Sequence, residues 1–538
     1  MHCPPVITAA FLLATTVAMH AQDTTALPLI RTRTVLLGSP LEDRLRLAQI
    51  LGRRTLAGSL IRSPSASHVF ADSSTTSLRW SIVDPVFEGT WNSQIPFSIN
   101  DGSLWAGRGF SSLMTVGVRA NLGPLRVLLA PEFMYSENKS FPLPPSGIPG
   151  RSDYAALYHA GPVSIDMPFR FGADPFTVVD LGQSAIWMPL GAFDVGAATE
   201  NQWWGPGIQN ALVMSDNAPG IPSAFVRTNR PLHTAIGDVE AKLIAGGLTE
   251  SLYFDRDSSN DHRSISGVVA TFAPRVEPTL SFGIARAVYS PAPTSQDIAT
   301  HALDALVRGG TKRPDSTRTG TQAFDQLFSL FARWVFPQDG FEVYGEWARM
   351  LPPSSLRQFL VNPQYTQGYT VGMQFAGDVQ RDVLLRLQGE VTFLDQTPPS
   401  RAGDTLTFYT SRAVPQGYTQ RGQLIGAAIG PGGSSQFLAL DYMPRWWDVG
   451  IFAQRIRWDE DVYYTQPTGF AYFSHDVTAL AGVRGTVRVF GSELHAEYSV
   501  AARVNFLFQN LRGGFGPERS NDFRNVSLRL WFSQSLRR

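Results

Sequence analysis

The chain has 538 residues, of which 45 are basic and 45 acidic, so its formal charge is zero, and only 17% of its residues are charged where globular domains usually carry about 25%. Zero net charge argues against general nucleic-acid binding, which needs a basic surplus against phosphate. Forty-eight glycines, 37 prolines and 11% aromatic residues fit many short strands joined by turns and argue against a large helical protein.

Val6 to Ala18 form an apolar run broken only by threonines and followed by small residues up to Ala21. The run is shorter than the roughly 20 residues of a spanning helix. Residues 1–21 are therefore expected to be a cleaved secretory signal, although the stretch ahead of the run offers His2 and no lysine or arginine. The single cysteine, Cys3, falls inside that segment and ahead of the apolar run, so neither a lipoprotein anchor, a disulfide nor a thiolate metal site is expected in the exported protein. No cofactor and no metal are expected.

Residues 22–70 read as a small periplasmic helical segment. Ser39-Pro40-Leu41-Glu42 supplies an N-cap, a proline at the first helical position and a glutamate to close a capping box. Leu41, Leu45, Ala48 and Gly52 then fall at helical spacing, which gives residues 40–51 an apolar edge that must pack on something else.

From about residue 77 the period changes to two, and residues 71–538 read as an antiparallel barrel. Met114, Val116, Val118 and Ala120 alternate with Thr115, Gly117, Arg119 and Asn121 before Gly123-Pro124 turns the chain. Leu125, Val127, Leu129 and Phe133 follow on one face, with Arg126 and Glu132 on the other. Phe193, Val195 and Ala197 alternate with Asp194, and Phe328, Leu330, Ala332, Trp334 and Phe336 with Ser329 and Arg333. Leu385, Leu387, Gly389, Val391 and Phe393 alternate with Arg386, Gln388, Glu390 and Thr392; Leu494, Ala496, Tyr498 and Val500 with Glu493, His495, Glu497 and Ser499.

A soluble sandwich also alternates. Strands near ten residues, apolar outward and charged inward with aromatics at their ends, mark an outer-membrane barrel, and they explain why mean hydropathy is only −0.07. The terminal strand ends in Trp531-Phe532, although Ser533 to Arg538 extend past it. One strand and turn per ~25 residues predicts about 18 strands. The polar stretches 255–264, 291–323 and 396–418 are expected to be extracellular loops.

Four ordered segments are similar to Wzi-type capsule-assembly proteins: Asn100-Asp101-Gly102-Ser103-Leu104-Trp105-Ala106-Gly107-Arg108-Gly109; Glu200-Asn201-Gln202-Trp203-Trp204-Gly205-Pro206-Gly207 continuing to Pro222; Glu342 to Arg349; and Gly417 to Gly426 followed by Ile429-Gly430-Pro431-Gly432. The resemblance implies an 18-stranded outer-membrane barrel with a small periplasmic helical bundle, which fastens exported capsular polysaccharide to the cell surface. Residues 28–62 are short for a full three-helix bundle. The identity of the sugar does not transfer.

Trp203, Trp204, Trp446 and Trp447 are the candidate polysaccharide contacts. Tryptophans also ring the rims of such barrels, which favours girdle or turn packing. Glu342, Glu346, Arg386, Glu390, Glu493, His495 and Glu497 form a candidate lumen network, either pairing with one another across the lumen or lining a polar pathway. Glu342 with Glu346 has the look of a glycosidase pair and His495 lies near Ser499, but same-face neighbours on a strand meet such spacings by construction, and an enzyme is not expected. The expected partners are capsular or other surface polysaccharide and outer-membrane lipid, with no nucleic acid, and the expected state is a monomer. The alternative function is a porin-like solute channel.

Overall fold

The structure, a computed structural model, describes residues 34–69, 80–143, 146, 148–159, 163–309, 323–352, 355–380, 382–396, 406–465, 475–508 and 522–535. The segment 1–21 expected to be a signal lies outside them.

Eighteen staves close into one antiparallel barrel. In chain order they are β1 (Trp80–Asn92), β2 (Gly109–Leu122), β3 (Leu125–Leu129 and Glu132–Ser136), β4 (Phe176–Asp180 and Ala185–Leu190), β5 (Phe193–Ala198) and β6 (Ser223–Thr228 and Leu232–His233). The second third is β7 (Gly237–Thr249), β8 (His262–Pro274), β9 (Leu280–Pro291), β10 (Asp325–Phe336), β11 (Phe341–Arg349) and β12 (Gln367–Gln380). The last is β13 (Val383–Phe393), β14 (Ser434–Pro444), β15 (Trp447–Trp458), β16 (Asp476–Val489), β17 (Ser492–Val504) and β18 (Phe523–Gln534). β1 pairs with both β2 and β18, from Val86 opposite Ser533 to Asn92 opposite Ser527, so no sheet edge is left open to lipid. Pro85, which has no N–H to give, sits where the β1–β2 register shifts between Val83 and Val86.

The period-two reading fixes the faces correctly. Met114, Val118, Leu330, Trp334, Leu494, Tyr498 and Val500 are exposed on the outside of the wall, while Thr115, Ser329, Arg333, Arg386, Glu390 and Glu493 are buried inside it. Short turns such as 123–124, 191–192, 337–340, 445–446 and 490–491 join the staves at one end. The connections 93–108, 137–175, 199–222, 250–261, 292–324, 350–366, 394–433, 459–475 and 505–522 lie at the other, which the rule for such barrels places outside the cell. The stretch expected as an extracellular loop at 396–418 behaves differently: beyond Gln396 its described part, 406–418, folds into the barrel, with Phe408, Tyr409 and Tyr418 at 0% exposure. A polar composition keeps a loop out of hydrocarbon, but it does not keep it out of a polar lumen.

The helix expected from residue 40 is present as α1 (Pro40–Ile50). The Ser39 hydroxyl accepts from the Glu42 N–H at 3.2 Å, and the Glu42 carboxylate accepts from Gly38 N–H at 2.8 Å, one residue ahead of the expected box partner. The helix lies within the barrel wall at the short-turn end, where Leu47 packs on Ala376, Leu384 and Met443.

Candidate functional site

Glycine-rich turns allow the long connections to double back, and three of them meet inside the lumen. Residues 199–222, entering from β5, form a short ladder with Ile61–Arg62: Trp204 lies opposite Ile61 and Trp203 opposite Arg62. Gly267 of β8 faces the lumen, and a Cβ there would stand 2.8 Å from the Trp204 ring, so the missing side chain is what admits the indole. Gly102 N–H donates to Asp216 O at 2.8 Å, Asn100 donates its amide to Gln209 O at 2.7 Å, and Ser215 N–H donates to Ile425 O at 2.9 Å. The Tyr409 and Tyr418 rings stack 5.9 Å apart, and their hydroxyls donate to Leu212 O and Val213 O, both at 2.8 Å. Three of the four motif segments, 100–109, 200–222 and 417–432, thus meet in one dome across the long-loop end, and the fourth, 342–349, is the wall strand β11, whose Glu346 reaches that dome.

The lumen carboxylates fasten this dome. Glu390 accepts from the N–H groups of Ile208 (2.6 Å), Gln209 (3.1 Å) and Asn210 (2.8 Å) and from the Tyr344 hydroxyl (2.8 Å). Glu346 accepts from Leu212 N–H at 3.0 Å. A carboxylate taking several N–H donors in a dry site is a strong clamp.

The others hold α1. Glu342 accepts from Arg333 and from Arg46 of the helix, each at 2.8 Å. Arg386 grips Asp43 at 2.6 Å and Asp441 at 3.0 Å. Glu493 takes both terminal nitrogens of Arg44. Burial pushes the Asp43 carboxyl up, but the adjoining Arg386, with Arg484 and Arg44, outweighs it and holds the group below the usual carboxylate range.

Between the dome and α1 remains a cavity of about 330 Å³. His495 and Glu497 line it and pair with each other at 3.4 Å; Trp203 closes one side, with the Arg62 guanidinium 4.8 Å above its ring. Asp216, also on its lining, lies in the dome itself. Burial raises its carboxyl well above the ordinary value, and Glu88, Glu132 and Glu42 add to the effect.

The predicted residues therefore separate. The lumen network does face inward, but apart from His495 with Glu497 its members bind plug elements and not one another. Glu342 and Glu346 are 0% and 3% exposed and bonded to the helix and the dome, so they do not flank an open cleft. Trp203 and Trp204, read as girdle, turn packing or sugar contact, are 3% and 0% exposed inside the barrel, where they pack within the inward-folded segment after β5 and reach neither lipid nor the outer surface. Trp446 and Trp447 stand exposed at the short-turn rim, with Tyr442 5.8 Å from Trp447, which is a girdle position away from the cell exterior. Sequence reasoning missed Tyr409, Asp43 and Asp441, and it marked Tyr418 only as a member of the family-like segment 417–426, with no role. The parity of β14 would have placed Asp441 inside; nothing local marks Tyr409.

A family model described as capsule assembly protein Wzi matches residues 93–443. No curated protein sequence matches the chain. Among solved structures it is similar to Wzi of Escherichia coli, described as an outer membrane protein involved in group 1 capsule assembly and a carbohydrate binding β-barrel, with 13% identity, 92% of each chain covered and a TM-score of 0.54. OccK5 and OprD of Pseudomonas aeruginosa are 8% and 9% identical, cover 85% of this chain and 97% and 93% of their own, and both have a TM-score of 0.39.

Proposed function

Since the chain belongs to the Wzi capsule-assembly family, we propose that it holds capsular or related surface polysaccharide at the outer face of the outer membrane by non-covalent contacts with its long-loop end. The observation that carries this reading is the dome: three of the four segments that resemble the family build a fixed, hydrogen-bonded body at the barrel's outer end. Such a body offers a rigid base for surface loops and spans the route a solute would take. Repeated sugars along a polymer raise the effective concentration at each contact, so individually weak contacts are enough for retention.

The experiment compares cell-bound and released polysaccharide in wild-type and deletion strains, with total production measured in both. Unchanged production with polysaccharide shifted into the medium is expected. An unchanged partition sinks the proposal.

The porin-like alternative draws on the cavity beside α1.

A further inference from the structure

The described parts of two of the long connections, 292–309 with 323–324 and 355–366, lie over the rim on the outside of the wall. On β9, Phe282, Ile284, Arg286, Val288 and Ser290 share the outward face; the first two are exposed, yet Val288 and Ser290 are buried. What covers them is the connection to β10. It carries two short helices, α2 (Ser295–Thr300) and α3 (Asp304–Val307). Ala305 and Phe324 pack on Val288, Ser266 of β8 bonds to Ala302 O (2.9 Å) and Ala305 N–H (3.1 Å), and Arg286 donates to Ala305 O at 3.2 Å.

The connection from β11 to β12 does the same. Val343, Trp347 and Arg349 lie on the outward face of β11. The helix α4 (Leu356–Val361), capped by Ser355, sets Phe359 6.3 Å from the Trp347 ring and 5.9 Å from the Arg349 guanidinium.

Both segments turn apolar side chains away from the wall they cover. Leu303, Leu306, Val307, Leu356, Leu360 and Val361 are between 51% and 74% exposed. Each group sits directly above the apolar belt of its own staves, marked by Phe282 and Ile284 on β9 and Val343 on β11. Residues 355–367 hold Arg357 and no carboxylate.

We propose that these two segments form a collar along β8–β12 that lies in the outer leaflet, leucines and valines at the boundary of acyl chains and headgroups, with Arg357 toward lipid phosphates. A leucine face with a basic margin, as on α4, suits that layer; on α2 and α3 the carboxylates are held, Asp297 by the Thr294 cap and Asp304 by Arg308 at 2.6 Å, and continuity with the lipid-facing wall selects lipid over a protein partner. The wall beneath is polar, with Ser264, Ser266, Arg286 and Ser290, so the collar also keeps those groups from hydrocarbon.

The test places a fluorophore through cysteine at Leu360, Leu306 or, as a solvent control, Leu252, each in a Cys3→Ser background of the full chain. The labelled proteins go into phosphatidylcholine vesicles with and without phosphatidylglycerol. Lipids carrying a spin label near the headgroup are expected to remove about half of the emission at 360 and 306, and aqueous iodide to quench only 252. Iodide quenching at all three sites overturns the proposal. So does protection of 360 and 306 from both quenchers, the result a second copy or another protein would give.

Discussion

At the scale of single residues the buried polar groups decide most. Glu390 satisfies three consecutive N–H groups of the dome and one hydroxyl. Glu390→Ala strands them and should cost on the order of 3 kcal/mol, read as a lower heat-unfolding midpoint in detergent. Gly426 is a second constraint, because a Cβ there would stand 2.5 Å from the Tyr409 hydroxyl and 2.6 Å from Leu212 O. Gly426→Ala is expected to open residues 199–222 to limited proteolysis while the barrel still forms.

Asp216 provides a pH-dependent prediction. Its carboxyl is raised in the folded protein, so the folded state binds the proton more tightly than the unfolded chain. The cost of its charge is absent below the unfolded value near 4, grows as pH rises from there, and levels off above the folded value. Asp216→Asn should therefore raise the unfolding midpoint at pH 8 and leave it unchanged at pH 4; equal shifts at both would contradict this.

Among the elements, α1 is the clearest case of a pattern legible in sequence with a destination that was not. Ser39, Pro40 and Glu42 mark its start, and it begins there. Its apolar edge finds Ala376, Leu384 and Met443, but most of its hold comes from Asp43, Arg44 and Arg46, which a soluble helix would turn to water. Inside a polar barrel the usual rule is reversed. Arg386→Met removes the hydrogen-bonding partner of Asp43 while Asp441 keeps Arg484; with the Asp43 side chain 41% exposed the cost should be about 1–2 kcal/mol, below that of a fully buried pair, and α1 should become open to protease before the barrel melts. For Asp43 the sign is opposite to Asp216: its depressed value adds stability at neutral pH that fades as pH falls below about 4.

For the whole molecule the decisive property is closure. Two bodies, α1 and the dome, stand in the same lumen, joined through Arg62, which bonds Glu42 of the helix at 3.1 Å and Gly207 O of the dome at 3.3 Å, but each has wall anchors of its own. The full chain in planar bilayers is expected to carry no steady single-channel current, and a chain lacking residues 34–52 is expected to remain silent as well, since Glu346 and Glu390 hold the dome independently of the helix. Steady current in the full chain would favour the porin-like reading.

The sequence by itself determined the wall. Side-chain alternation along Met114–Asn121, Leu385–Phe393 and Glu493–Val500 is a local property of a pleated strand, and one face meeting lipid and the other water writes itself into every second residue. Strand number followed from the spacing of turns. Only the tertiary structure decided what fills the lumen: which loops fold inward, that Glu390 meets Ile208 through Asn210 across 180 positions, and that Trp203 and Trp204 belong to the interior while Trp446 and Trp447 belong to the rim. Inward and outward loops share the same glycines, prolines and polar side chains, because a polar lumen and bulk water make the same demands on a chain; the difference lies in long-range partners, which no local period records.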